Sequence, residues 1–391
     1  MGGLGPLPRR LGAFPRLNPP YMDLEPENVR SLLERSLELA RQGWGKTHPN
    51  PMVGALVVEG GEIVAEGFHH SAGCAHAEVE ALRNLGRKPR EGAALFVSLE
   101  PCSTSGRTPP CTDAIIGSGI GTVIVGCEDP NPLHAGRGLD LLRAAGIRVE
   151  AAEDEFARRA SRLNFIFNHK VTTGEALVAL KIAETSNGMV AEKQGVRSAV
   201  TGEDALGDVM IWRRLFPAIC VGAGTVACDD PSLTARIEGL AWSPVRIVVD
   251  GSLSSFSENL SRRRLYSDEF ADRTIVVTSR DEEGKESRLK SAEELGVRLW
   301  RTDARKDGRI PPASLRLLLR ELSLNGLYCE GGPQLARSIL AEGEADYLFR
   351  YRAPKVFDGP DALPGPDLSR HPLKDAIEET LGEDHLNHGF L

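Results

Sequence analysis

Two α/β domains in tandem are the fold class that this 391-residue sequence predicts. Three observations predict it. Strand-like apolar runs alternate with helical patterns from Gly54 to Ala152. A charged helical segment follows, roughly Glu153 to Lys170, and a second strand–helix alternation fills the rest of the chain.

The elements follow in order. Residues 1–23 are interrupted by Pro and Gly and hold no continuous apolar run. They read as a flexible tail rather than a signal peptide, with order beginning near Leu24. "PENVRSLLERSLELARQG" places Val29, Leu32, Leu33, Leu37 and Ala40 on one face and ends at Gly43, the pattern of an amphipathic helix. "VGALVVEGGEIVAEGF" reads as two strands joined at Gly60-Gly61. A helix over "HAEVEALRNLG", a strand over "AALFVSLE", a helix over "TDAIIGSG", a strand over "TVIVGCED", a helix over "GRGLDLLRAAG" and a strand over "IRVEAA" complete the domain. This predicts three layers around a largely parallel sheet over 24–152, with 153–172 as connecting segment.

The second domain is expected over 173–391. Its strand candidates are "ALVALKIAE", "AICVGAGT", "VRIVVDG", "RTIVVTS", "VRLW", "GLYCEGG" and "DYLFRYRAP". "TGEDALGDVMIWRRLF" and "PPASLRLLLREL" read as helices, the first with Thr201 and Asp204 at capping-box spacing. "SRDEEGKESRLKSAEEL" reads as a solvated helix.

Composition narrows the function. Hydrophobic content of 41% and charged content of 26% fit a soluble globular protein. A net charge of −8 argues against nucleic acid as a partner, since duplex binding needs clustered Lys and Arg. No stretch approaches the ~18 apolar residues of a membrane span, so no membrane is expected either. The seven cysteines form no compact framework. Cys127, Cys220 and Cys329 sit in strand-like runs and read as buried, and a reducing cytoplasm fits best.

The chemistry concentrates in "AGCAHAEVEAL" and "SLEPCSTSGRTPPCTDAI". His76, Cys102 and Cys111 offer one imidazole and two thiolates, a donor set suited to Zn²⁺. Three protein ligands leave a fourth position open, the mark of a catalytic site. Glu78 is the expected general acid/base, moving a proton from water to a leaving amine. On a regular helix residues i and i+2 diverge, so His76 and Glu78 can share a site only at an irregular first turn. Thiolates right after Pro101 and Pro110 would draw on backbone N–H groups at helix starts. The H-x-E…P-C pattern is that of zinc deaminases, with eight residues between the cysteines instead of two. The alternatives are a closed site with Cys74 as fourth ligand, or a surface His76 with Glu80 as the exposed partner.

In the second half, "VGAGT" and "EGG" place glycines directly after strands, where α/β sheets bind ligands. A helix beginning at "EGGPQLAR" could receive a cofactor phosphate. Lys181 lies inside the apolar run "ALVALKIA" and needs a partner.

"HPNPMVGALVV", "AHAEVEAL", "EPCSTSGRTPPC" and "DPNPLHAGRGLDLLRAAGI" resemble the bifunctional riboflavin-biosynthesis deaminase/reductase family. The resemblance continues through "LKIA", "VTGEDA", "VGAGTVACDDPSLTAR", "EGGPQLA" and "APKV". It implies a cytidine-deaminase-like domain followed by a dihydrofolate-reductase-like domain. It also implies Zn²⁺ and NADPH as cofactors, a pyrimidine ribotide as small-molecule substrate, and homo-oligomers. Asn50, His69 and Arg107 would contact the deaminase substrate. Lys181, Arg213, Leu233, Arg236 and Glu330 would contact the reductase substrate. Ala183, Thr201, Thr225, Asp229, Gly331 and Gly332 would line the cofactor site. The sequence departs from the family at Thr104, where a histidine is usual, and at Asn187, Met189 and Ala199, where Asp, Lys and Trp are usual. The alternatives are an active deaminase beside an impaired reductase, a base deaminase acting on nucleic acid, and a non-catalytic zinc protein.

Overall fold

The computed structural model describes residues 25–105, 109–237, 239–257 and 263–391. The expected tail and Arg107 lie outside the described residues. The chain forms two compact units, one ending at Thr172 and one running from Thr173 to Leu391.

The first unit contains α1 (Pro26–Arg41), β1 (Gly54–Glu59), β2 (Glu62–Phe68), α2 (Ala77–Leu85), β3 (Ala94–Val97), α3 (Cys111–Ser118), β4 (Thr122–Val125), α4 (Arg137–Ala144), β5 (Arg148–Ala151), α5 (Asp154–Leu163) and α6 (Phe165–Thr173). Pro26 opens α1, where its missing N–H costs nothing. Leu32, Leu33, Leu37 and Ala40 are buried as their spacing predicts, together with Ser36 and Leu39. Gly60 and Gly61 both have positive φ (56° and 88°), which the tight turn between β1 and β2 requires.

The sheet order is β2-β1-β3-β4-β5. It is less parallel than expected. β1 runs antiparallel to both β2 and β3, and only the β3–β4 and β4–β5 pairings are parallel. A two-residue turn forces β1 and β2 to oppose each other. The crossover through α2 then lays β3 on the far side of β1. Successive β1 residues feed two apolar layers, which gives the three-layer build. Ala55 and Val57 pack with Ala81, Leu95, Ile115 and Leu139. Leu56 and Val58 pack with Leu33, Leu37, Phe96 and Phe156.

Helix α2 lies unusually close to the sheet because β2 carries a glycine. A Cβ at Gly67 would stand 2.4 Å from the Ala81 nitrogen and 2.5 Å from the Ala77 carbonyl oxygen. Gly67→Ala is therefore expected to destabilise the first unit by about 1–3 kcal/mol, the usual cost of overpacking. Denaturant unfolding checks this, and an unchanged midpoint would mean that α2 has room to move.

The second unit contains β6 (Leu177–Thr185), β7 (Met189–Ala191), α7 (Glu203–Leu215), β8 (Ala218–Gly222), α8 (Ala223–Asp229), β9 (Ala235–Ile237), β10 (Leu240–Trp242), β11 (Val245–Val249), α9 (Arg264–Ser267), β12 (Thr274–Ser279), α10 (Glu286–Glu294), β13 (Arg298–Thr302), α11 (Ala313–Glu321), β14 (Gly326–Cys329), α12 (Pro333–Ala341), β15 (Tyr347–Ala353), β16 (Leu363–Pro364), β17 (Lys374–Leu381) and β18 (Asp384–Phe390). A nine-stranded sheet has the order β13-β12-β11-β8-β14-β6-β15-β18-β17. It is parallel from β13 through β15, and β18 and β17 close it as an antiparallel pair.

Several readings of the sequence differ from the structure here. The capping box at Thr201 and Asp204 does not form: α7 starts at Glu203, Gly202 is its cap residue, and no side chain caps it locally. Instead the Gly202 N–H donates to Asp384 Oδ2 of β18 at 2.7 Å. The final hairpin was not anticipated, because β17 is exposed along most of its length and carries no apolar alternation. Cys220 and Cys329 are buried, whereas Cys127 is only partly so. Among the described residues no helix is long and apolar enough to cross a membrane.

Candidate active sites

The α2 cap brings the first constellation together. His76 is the N-cap residue, with extended backbone (φ −75°, ψ 161°), and Glu78 lies in the first turn behind it. The break in helical geometry at His76 lets both side chains face one point, which regular i, i+2 spacing forbids. Cys111 is the first residue of α3, after Pro110. Its backbone N–H donates to Cys102 Sγ at 3.3 Å, so a helix N-terminus supports that sulfur as an anion.

His76 Nδ1 stands 3.4 Å from Cys102 Sγ and 3.2 Å from Cys111 Sγ. The three donor atoms all lie within 4.8 Å of one another. A tetrahedral zinc ion with ordinary bond lengths separates nitrogen and sulfur donors by about 3.6 Å, so the trio fits the ion with a small outward adjustment. The exposed Cys74 lies outside the trio, with its Sγ 3.2 Å from Ser71 Oγ. Glu80 pairs with His70 at 2.8 Å and not with His76. Neither alternative reading of the motif matches this arrangement.

Glu78 is 3% exposed. Burial, reinforced by the Cys102 sulfur, pushes its carboxyl up to about 7. Within the sulfur pair the hydrogen bond from Cys111 draws Cys102 down to about 4, with His76 adding to it. Cys111 is held well above the usual thiol range by that same hydrogen bond and by burial.

Asn50 and His69 meet beside this centre. Asn50 Nδ2 lies 3.1 Å from His69 Nε2, and His69 Nδ1 lies 3.0 Å from the Ala75 carbonyl oxygen. A carbonyl can only accept, so Nδ1 carries the proton and Nε2 accepts from the Asn50 amide. Both ring nitrogens are thus engaged, and His69 is only 2% exposed. Thr104 lies exposed in the loop after Cys102.

In the second unit, Arg213 of α7 reaches Glu330 at the end of β14 with Nε–Oε1 2.6 Å and Nη2–Oε2 2.9 Å. Their side chains are 12% and 10% exposed. Burial alone would raise the Glu330 carboxyl, but Arg213, and behind it Lys181, hold it below the ordinary value. Burial keeps the Lys181 ammonium below its ordinary value, opposed chiefly by Glu330 and more weakly by Asp229. Lys181 and Ala183 are the two less buried positions of β6. Lys181 Nζ sits 5.7 Å from the centroid of the Tyr351 ring.

Leu233 and Arg236 lie on the segment after α8. Leu233 has φ 53°, a strained conformation for a branched side chain, and is 2% exposed. Two arginines hold this segment: Arg213 Nη1 donates to the Thr234 carbonyl at 3.1 Å, and Arg246 Nη1 to the Ser232 carbonyl at 3.0 Å. Ser232 Oγ and Thr234 Oγ1 each accept from Arg236 Nη1 at 3.0 Å. Arg246 is fully buried and also bonds Asp268, Leu265 and Thr274. Sequence reasoning overlooked Arg246, although a charge inside "VRIVV" is the same signal that singled out Lys181.

The glycine-led helices α8 and α12 start at the ends of the neighbouring parallel strands β8 and β14. Gly332 caps α12, and a Cβ there would approach Thr225 Oγ1 at 3.4 Å. Gly331 packs so closely on Leu335 that a Cβ would meet it at 2.7 Å. Asp229 ends α8, and Thr201 stands just before α7. Two strand ends with small residues and a free helix N-terminus suit a phosphate-bearing cofactor.

Residues 26–127 match the cytidine and deoxycytidylate deaminase zinc-binding region, and residues 176–386 match the RibD C-terminal domain. The riboflavin biosynthesis protein RibD of Aquifex aeolicus is 38% identical over 361 residues, covering 91% of this chain and 96% of its own. RibD of Escherichia coli is 36% identical over 356 residues, covering 85% and 90%. A crystal structure from Thermotoga maritima, described as a diaminohydroxyphosphoribosylaminopyrimidine deaminase/5-amino-6-(5-phosphoribosylamino)uracil reductase, is similar with a TM-score of 0.77 at 33% identity. That similarity covers 93% of this chain and 98% of the other. With its His76–Cys102–Cys111 zinc-binding site in a deaminase domain and a dihydrofolate-reductase-like second domain, the chain belongs to the RibD family, the bifunctional deaminase/reductases of riboflavin biosynthesis.

Proposed function

We propose that the first unit hydrolyses the 2-amino group of 2,5-diamino-6-ribosylamino-4(3H)-pyrimidinone 5′-phosphate. The second unit then reduces the ribosyl group of the product to ribityl with NADPH. The convergence of His76, Cys102 and Cys111 beside the buried Glu78 carries this reading. The activity by which the Thermotoga maritima relative is described supports the substrate class.

His76, Cys102 and Cys111 would hold a zinc ion, whose Lewis acidity would make water nucleophilic at neutral pH. Glu78 takes the proton from the attacking water and gives it to the departing amine, so ammonia leaves neutral. Asn50 holds the pyrimidine through its amide. His69 sets which way that amide faces, and so acts on the substrate through Asn50. Arg107 is proposed as a further substrate contact.

In the reductase site, Ala183, Thr201, Thr225, Asp229, Gly331 and Gly332 would hold NADPH, which would supply hydride for the reduction. Lys181 gives a proton from Nζ as the sugar ring opens, a role that the destabilisation of its ammonium by burial supports. Glu330 orients Lys181 and Arg213, and Arg236 anchors the substrate phosphate. Leu233 packs against the substrate. One of the family departures, Asn187, has a structural role. Asn187 accepts from Thr185 Oγ1 at 2.6 Å and donates to the Phe357 carbonyl at 3.0 Å, which ties the turn after β6 in place. The free cysteines support activity in a reducing cytoplasm, and family membership supports a homo-oligomer.

Chelation tests the division of labour. Removing the metal is expected to abolish ammonia release and leave NADPH oxidation with the deaminated substrate intact, with zinc restoring the first. Ammonia release that survives complete demetallation would refute the proposed role of the metal. Arg236→Ala is expected to raise KM for the deaminated ribotide about tenfold or more, on the scale of a lost charged hydrogen bond, with a smaller change for NADPH. Steady-state kinetics check this, and equal losses for both would contradict the phosphate assignment.

A further inference from the structure

We propose that Glu100 is a positioning residue of the deaminase centre: its carboxylate ties the segment bearing Cys102 to the 129–138 turn and so sets where that ligand stands. The proposal rests on the zinc reading of the His76–Cys102–Cys111 trio.

Glu100 is 5% exposed and two residues from Cys102. Its Oε2 accepts the backbone N–H groups of Asp129 at 3.1 Å and Gly136 at 3.0 Å, and its Oε1 accepts that of Gly138 at 2.9 Å. Its own N–H donates to the Cys127 carbonyl at 2.8 Å. Gly136 is the N-cap residue of α4, and no local side chain caps that helix. Glu100 therefore does from a distant segment what a cap side chain does locally, and its negative charge meets the positive end of α4.

The same contact explains the glycines of "HAGRG". Gly136 has φ 75°. A Cβ at Gly138 would stand 2.3 Å from the Pro101 carbonyl oxygen, so α4 begins directly against the residue preceding Cys102. Pro101 fixes its own φ, leaving little slack between the clamped carboxylate and the ligand. From the other side, the N–H of Thr112 in α3 donates to the Cys102 carbonyl at 3.2 Å. Cys102 is thus gripped between the starts of two helices. The "EPC" and "DPNPLHAGRG" motifs, far apart in sequence, are the two halves of one clamp.

Glu100→Gln keeps the shape but removes one acceptor oxygen and turns an NH₂ toward backbone N–H groups. In the full-length chain, chelator competition is expected to show zinc affinity weakened about 10–100-fold, the scale for outer partners of metal ligands. The cobalt-substituted protein is expected to show an altered visible spectrum. NADPH oxidation with deaminated substrate stays at the wild-type rate. Leu142→Ala, a fully buried change on α4 away from the clamp, separates positioning from stability: it lowers the melting temperature and leaves zinc affinity in place. Wild-type zinc affinity and cobalt spectrum in Glu100→Gln would overturn the proposal. So would an equal loss of zinc affinity in Leu142→Ala at matched stability. If Glu100→Gln does not fold, Gly138→Ala, which presses on Pro101 with the carboxylate intact, takes its place, and undiminished zinc affinity there overturns the proposal. A wild-type chain that takes up neither zinc nor cobalt overturns the zinc reading itself.

Discussion

Replacing Glu78 by glutamine is expected to cut ammonia release by about 10²–10⁴-fold while zinc stays bound, the usual scale for losing a general acid/base. The side chain is buried at 3% exposure beside the trio and is not one of the three donors. Glutamine keeps its volume and part of its hydrogen bonding. What it cannot do is accept a proton from water and hand it to a leaving amine. Metal analysis and an ammonia assay on the same preparation separate the two properties. Full turnover by the variant would remove Glu78 from the mechanism, and loss of zinc along with turnover would recast it as a structural support of the site.

The second large effect is expected from Arg213→Ala. Arg213 and Glu330 form a two-point ion pair with side chains 12% and 10% exposed, and Arg213 also holds the Thr234 carbonyl. Breaking a buried pair from one side typically costs about 3–5 kcal/mol, because the remaining charge is left without a partner. Denaturant unfolding should therefore show a weakened second unit. NADPH oxidation should vanish while ammonia release continues. The paired change Arg213→Met with Glu330→Leu should recover part of the stability, since it removes the stranded carboxylate but takes from Lys181 its main opposing charge. It should recover none of the reduction. A single variant that keeps its stability and its NADPH oxidation would mean that the pair is dispensable.

How far the sequence discloses this molecule depends on the range of the interactions involved. The helices and most strands follow from local apolar spacing, as in α1, where Leu32, Leu33 and Leu37 are buried as spaced. Zinc chemistry is legible because residue type carries it: an imidazole and two sulfurs have few other reasons to cluster. Nonlocal contacts were hidden. Nothing near Thr201 reveals that Asp384, from the last strand, caps α7. Nothing near Glu100 reveals that its three partners lie 29 to 38 residues away. Whether β3 pairs with β1 or with β2 depends on which side of the hairpin the crossover lands, and apolar periodicity does not encode that. Strands β17 and β18 escaped for a different reason: β17 is held by backbone pairing and is mostly exposed. Arg246 was detectable, since a charge within an apolar strand announces a buried network. Reading its role required seeing that the network ends on the Ser232 carbonyl.

The most direct measurement supplies the purified chain with the diaminopyrimidinone ribotide and follows ammonia and NADPH absorbance together. Ammonia should appear with or without NADPH, and NADPH should be consumed only after ammonia begins to form, one equivalent for each product that goes on to the ribityl form. A chain that holds zinc on His76, Cys102 and Cys111 yet releases no ammonia from this substrate would contradict the account at its centre.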